Sequence, residues 1–218
     1  MSGEPAPGSI GAIANAYASY CARVVETIAE QEKEIEALIA AMKSAGAIHC
    51  YGFGRSGSTG RSLAIRLRHF QRHLKDVWWV EDDVRNPFVA HDLFIAVSNH
   101  GTGHMLNGLV GHARERGLRC AFITAEPEGS PPGAAGEAAA GSTGEKKKDT
   151  ENVADDPRTG DIVIRLPHID PELLAPARLY GGGDFELAAS LFQEVLVTRI
   201  GQRYDIDPRD VERYHVFQ

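Results

Sequence analysis

The stretch Tyr51-Gly52-Phe53-Gly54-Arg55-Ser56-Gly57-Ser58-Thr59-Gly60 is rich in groups that can hold an anion, and it lies between an apolar run and a helical pattern. Glycines let the backbone turn sharply and bare its N–H groups, and a helix N-terminus adds donors and a positive dipole end. Arg55 brings a planar fork suited to phosphate, and Ser56, Ser58 and Thr59 bring hydroxyls. Two other readings fit the same letters. One is a tight turn with capping hydroxyls. The other is the dinucleotide pattern Gly-x-Gly-x-x-Gly at Gly52, Gly54 and Gly57, with Glu81 or Asp82 as its ribose-binding acid. The crowding of hydroxyls and the want of a second βαβαβ half weigh against the dinucleotide pattern. No Lys follows the last glycines as a Walker-type nucleotide loop requires.

A second polar stretch, Ser98-Asn99-His100-Gly101-Thr102-Gly103-His104, again falls between an apolar run and a helical one. In a flavodoxin-like strand order the first and third strands are neighbours, and the loops at their C-terminal ends face one crevice. Two such loops can surround one phosphate from two sides. His100 and His104, four apart, invite a metal reading, but no carboxylate motif accompanies them. A phosphate or sugar contact by His100 suits the pattern better, with His104 at the surface.

The elements that must position these loops are legible from periodicity. Ile10, Ile13, Tyr17, Tyr20, Val24 and Ile28 recur at helical steps behind Ser9, a candidate N-cap, and Ile35, Leu38, Ile39 and Met42 continue the rhythm. The spacing predicts two helices, or one long bent one, before the first strand. Ala47–Tyr51, Val77–Val80, Leu93–Val97, Cys120–Thr124 and Ile162–Leu166 read as buried parallel strands, with helices at Arg61–Phe70 and Met105–Arg116. A last helical run follows Gly181-Gly182-Gly183. The expectation is an α/β fold, a five-stranded parallel sheet covered on both faces by helices.

Residues 1–9 read as a flexible tail and residues 10–218 as one domain. Residues 127–160, rich in Gly, Ala, Pro, Ser and charge and including Lys146-Lys147-Lys148, read as a low-complexity mobile insertion. A formal charge of -7 over 218 residues leaves no nucleic-acid footprint. No signal peptide and no membrane span is expected. Cys21, Cys50 and Cys120 are odd in number and scattered, which favours a reducing cytoplasm. The apolar stripes of the terminal helices exceed what one sheet face covers, so a homo-oligomer is expected.

Gly-Phe-Gly-Arg-Ser-Gly (52–57), followed by Leu67-Arg68-His69-Phe70, resembles the opening of sugar isomerase (SIS) domains, in particular the 6-phospho-3-hexuloisomerase branch. Gly182-Gly183-Asp184-Phe185-Glu186 and Val211-Glu212-Arg213-Tyr214-His215 extend the resemblance over most of the chain outside the tail and the insertion. The resemblance implies a flavodoxin-like SIS fold, a homotetramer, no metal and no organic cofactor. It also implies an isomerase that interconverts a 3-hexulose 6-phosphate with fructose 6-phosphate through an enediol. By position, Gly54, Arg55 and Ser56 in the first loop, and Ser98, His100, Gly101 and Thr102 in the second, would contact the sugar phosphate. Glu186 would be the catalytic base and His215 a second catalytic group, brought by a neighbouring subunit. Where the family's second loop carries two further hydroxyls, this sequence has His100 and Gly103, and its Thr-Pro appears as Asn86-Pro87.

Glu186 follows three glycines at the apparent start of a helix, a place that suits a carboxylate. Two readings compete for it: a base that shuttles a proton between adjacent carbons, or a cap for its own helix. Two kinds of protein compete likewise. One is an isomerase, and the other is a module that senses a sugar phosphate without turning it over. The altered second loop favours the sensor, and the presence of both candidate catalytic residues favours the enzyme.

Overall fold

The computed structural model describes residues 5–125, 161–169 and 183–212. The insertion expected at 127–160 and His215 lie outside these residues.

Two helices precede the sheet, α1 (Ile10–Glu30) and α2 (Glu32–Ser44). Ser9 caps α1 as expected, its Oγ accepting from the Ala12 N–H at 3.2 Å. The break falls at Gln31, and its side chain explains the place. Its Nε2 donates to the Arg165 carbonyl at 2.6 Å, and its Oε1 accepts from the Arg165 N–H at 2.8 Å. Gln31 thus pairs with the backbone of an outer strand as another strand would, covering an edge otherwise open to association.

The strands are β1 (Ala47–Gly52), β2 (Asp76–Trp79), β3 (Leu93–Val97), β4 (Arg119–Thr124) and β5 (Ile162–Arg165). All pair in parallel, in the order β2-β1-β3-β4-β5. β1 and β3 lie side by side in a register that runs from Ile48↔Leu93 to Gly52↔Val97, so both strands end level. The chain runs outward from this pair in opposite directions. That makes the gap beyond their C-terminal ends the switch point at which such sheets bind ligands.

Four further helices complete the described structure: α3 (Gly54–Arg68), α4 (His104–Glu115), α5 (Asp184–Arg203) and the short α6 (Pro208–Glu212). One sheet face packs against α1, α2, α3 and α5, burying Tyr20, Leu38, Met42, Leu63, Phe192 and Leu196. The other carries Phe94, Phe122 and Val110, under α4 and the segment around Phe88. Each fully buried Leu or Phe contributes about 1.5–3 kcal/mol, so the four-helix face carries more of the stability. Cys50 and Cys120 are buried in these layers, where desolvation pushes each thiol up to about 12. They act as small hydrophobes. Among the described residues no helix is long and apolar enough to cross a membrane.

One polar pair sits inside the sheet. His49 of β1 is fully buried, its Nε2 3.0 Å from Asp92 Oδ2. Asp92 also accepts the N–H groups of Ala47 (2.8 Å) and Val89 (3.0 Å), which ties the entries of β1 and β3 together.

Candidate active site

The helix that follows β1 starts within the glycine-rich stretch, earlier than its periodicity predicts. α3 begins at Gly54 rather than at Arg61, with Phe53 as its N-cap residue. Gly54 has φ +61, but Gly52 and Gly57 serve close packing instead. A Cβ on Gly57 would lie 2.7 Å from the Gly52 carbonyl oxygen, and one on Gly52 would lie 2.6 Å from the Val97 carbonyl oxygen. The missing side chains let α3 start flush against the ends of β1 and β3. A run of Gly and Ser has poor helix propensity, which hid this start from periodicity. Consequently Arg55 and Ser56 occupy the first turn of α3, Ser58 is exposed, and Thr59 is buried. Asp82, one of the acids a dinucleotide pattern would assign to a ribose, is bonded to Arg68 at 2.5 Å.

Against this first turn comes the first turn of α5. Ser56 Oγ donates to Glu186 Oε1 at 3.0 Å, and Arg55 Nε lies 4.0 Å from Glu186 Oε2. The N-cap residue of α5, Gly183, has no side-chain cap bond, and Glu186 turns towards α3 rather than back onto its own helix. The capping reading is therefore not the one adopted. Arg55 remains 70% exposed, while Glu186 is 20% exposed, so the carboxylate is seated and the guanidinium can still swing to a ligand. Deeper along the same contact, Gln193 Nε2 donates to the Thr59 carbonyl at 3.0 Å and locks α5 to α3.

On the α4 side of the crevice the second loop turns through Gly101 (φ +61) and Gly103 (φ +144), and α4 opens at His104 with no side-chain cap. A cavity of about 300 Å³ lies there, lined by Ser98, Thr102, Gly103 and His104 from this loop and by Tyr51, Gly52 and Phe53 from the first. The free N–H groups of a helix start, flanked by Ser98 and Thr102, suit an oxyanion. Tyr51 also lines this cavity, and its buried hydroxyl has no partner among the described residues.

No protein-family profile matches the chain, and no curated protein is significantly similar to it in sequence. Solved structures do match along almost its whole length. A hypothetical protein superposes with a TM-score of 0.66 at 19% identity, over 91% of this chain and 95% of that one. The fold is that of a sugar isomerase (SIS) domain, such as the one in an RpiR transcription factor. A hypothetical protein from Methanococcus jannaschii, whose structure infers a molecular function of 3-hexulose-6-phosphate isomerase, matches with a TM-score of 0.60. It is 19% identical, over 87% of this chain and 93% of that one. The sugar isomerase domain of an RpiR transcription factor from Sphaerobacter thermophilus also matches at 0.60, with 17% identity over 94% and 98%.

Within this SIS fold the sequence-predicted residues fall into two groups at the C-terminal edge of the sheet. Arg55, Ser56 and Glu186 meet on the α3–α5 side, and Ser98 and Thr102 line the cavity on the α4 side. Gly54 stands at the start of α3 between them. Gly101 is buried in the second loop, while His100 is exposed and outside the cavity lining. His104, expected at the surface, is exposed and also edges the cavity. No group of three or more metal-ligating side chains occurs among the described residues. Periodicity had read Tyr51 only as the end of a strand. A tyrosine directly before the glycines was the available signal for its place on the cavity wall.

Proposed function

We propose that the protein is a sugar-phosphate isomerase, most specifically one that interconverts 3-hexulose 6-phosphate and fructose 6-phosphate. The observation that carries this reading is the seating of Glu186 against Ser56 and Arg55, with a cavity lined by Ser98, Thr102 and the start of α4 at the ends of the same strands. A substrate whose phosphate sits at Ser98, Thr102 and the α4 N-terminus extends its carbon chain past the end of β1 towards Glu186. The Glu186 carboxylate takes the proton from the carbon bearing the hydroxyl next to the carbonyl. The electrons of that C–H bond form the enediol double bond as the carbonyl oxygen gains a proton. Return of the proton to the neighbouring carbon, with loss of one from the other oxygen, regenerates a carbonyl one position along. The balance needs no external oxidant. Such a positioned acid–base group typically contributes about 10² to 10⁴-fold.

A second reading has a specific observation behind it. Neither His100 nor Gly103 adds a hydroxyl to the cavity, and the matching SIS domain from Sphaerobacter thermophilus belongs to a transcription factor. On that reading the domain senses a sugar phosphate. Purified protein incubated with a panel of pentulose, hexulose and heptulose phosphates, with product identification, separates the two. Turnover of the hexulose phosphates supports the proposal, and tight binding with neither turnover nor exchange of carbon-bound hydrogen supports the sensor. A melting shift with NADH and none with any sugar phosphate would return the first loop to the dinucleotide reading.

The expected homo-oligomer belongs to the same proposal. An apolar groove of about 560 Å³ between α1, α2 and α5, lined by Ile28, Ile35 and Val195, offers a surface for a second copy, and light scattering at micromolar concentration tests it.

A further inference from the structure

A carboxylate in the first turn of a helix is only as well placed as that helix end, and the start of α5 has no side-chain cap on Gly183. The end is held from outside instead. Asp184 Oδ2 accepts from the Ile169 N–H at 3.1 Å and faces His168 Nδ1 at 3.2 Å. Tyr20, fully buried in α1, places its Oη 2.9 Å from the Asp184 carbonyl oxygen and 2.7 Å from that of Pro167. A phenol has one hydrogen, so it is shared between two acceptors that belong to the exit of β5 and the start of α5. Burial, with the neighbouring Asp184 charge, holds this phenol well above its ordinary pKa, so the donor persists across working pH. Burial opposes ionisation of Asp184, but the Ile169 N–H and His168 outweigh it and hold its carboxyl below the ordinary value.

We propose that Tyr20 and Asp184 are positioning residues for Glu186, clamping the first turn of α5 so that its carboxylate meets Ser56. The proposal rests on the reading of Glu186 as the base. Gln193 fixes the middle of α5 through the Thr59 carbonyl, two turns beyond Glu186. The Tyr20–Asp184 clamp acts at the end itself, through the backbone and side chain of its first residue. Neither residue reaches the cavity at α4 or the reacting atoms, so each acts through Glu186. A displacement of about 1 Å at a reacting group can cost up to about 10²-fold in rate.

The test is Tyr20→Phe in the full chain, with fructose 6-phosphate as substrate and the Glu186 side-chain carboxyl followed by 13C NMR, assigned by its loss in Glu186→Gln. The expected result is a kcat lower by about tenfold or more with KM little changed. The Glu186 resonance should shift and broaden in parallel. Combining Tyr20→Phe with Asp184→Ala should cost no more than the worse single variant, since both loosen one clamp. Should Tyr20→Phe fail to fold, Asp184→Ala alone carries the same expectation. An unmoved Glu186 resonance, or wild-type kcat in a folded variant with a moved one, overturns the proposal. If Glu186→Gln turns over normally while Tyr20→Phe still moves the resonance, the base reading falls, and the clamp stands as a structural positioning of Glu186.

Discussion

Ser56 Oγ and Glu186 Oε1 lie 3.0 Å apart across 130 positions of chain. The bond runs from the first turn of α3 to the first turn of α5, and it holds Glu186 beside the helix start that follows β1. Glu186→Gln keeps volume and the acceptor for Ser56 but removes proton affinity. Turnover should fall by about 10²-fold or more with fructose 6-phosphate binding retained, and exchange of carbon-bound hydrogen with deuterated water should vanish. A Gln variant of normal rate would take Glu186 out of the mechanism.

Gly57→Ala should destabilise the fold and displace α3. Its Cβ would meet the Gly52 carbonyl oxygen at 2.7 Å and the carbonyl carbon at 3.0 Å, both backbone atoms that cannot step aside. Overpacking of this kind costs about 1–3 kcal/mol, read as a lower urea midpoint. An unchanged midpoint would show that α3 does not press on β1 as described.

Tyr51→Phe should leave the unliganded protein as stable as before or slightly more so. The Tyr51 hydroxyl is buried and unpartnered among the described residues, and removing an unsatisfied polar group costs little. Tyr20→Phe should instead lower stability, because two carbonyl oxygens lose their shared donor. Thermal melts of the two variants side by side check the contrast, and equal losses would contradict it.

Stability should decline as the medium is acidified through the histidine range. Burial lowers the His49 pKa from its ordinary 6.5, overcoming the opposing pull of Asp92. Above 6.5 the side chain is neutral in both states and the full stability is present. Below it the unfolded chain binds a proton that the folded one does not, so stability falls until the lowered folded value is passed. Urea midpoints between about pH 7.5 and pH 5 measure this slope, and His49→Gln should flatten it. A slope identical in the variant would assign it to other groups.

Much of this architecture is written locally. Apolar runs at Leu93–Val97 and around Ile48 announce buried parallel strands, because a strand covered on both faces needs no polar alternation. The stripe through Tyr20, Val24 and Ile28 marks α1 for the same reason, one face of a helix meeting a core. The start of α3 was not legible, since Gly52 and Gly57 act through contacts with Val97 and with each other rather than through propensity. The role of Gln31 was hidden too, because its partner Arg165 lies 134 positions away.

The sequence by itself determined the strand and helix order, the two polar loops after β1 and β3, and the candidates Arg55, Ser56, Ser98, Thr102 and Glu186. The tertiary structure decided which of these meet. It put Glu186 on Ser56 rather than on its own helix end, left His100 outside the cavity wall, and brought Tyr51 onto it. Residue types and their periods are set by local covalent geometry, whereas meetings across 130 positions depend on how the helices pack on the sheet.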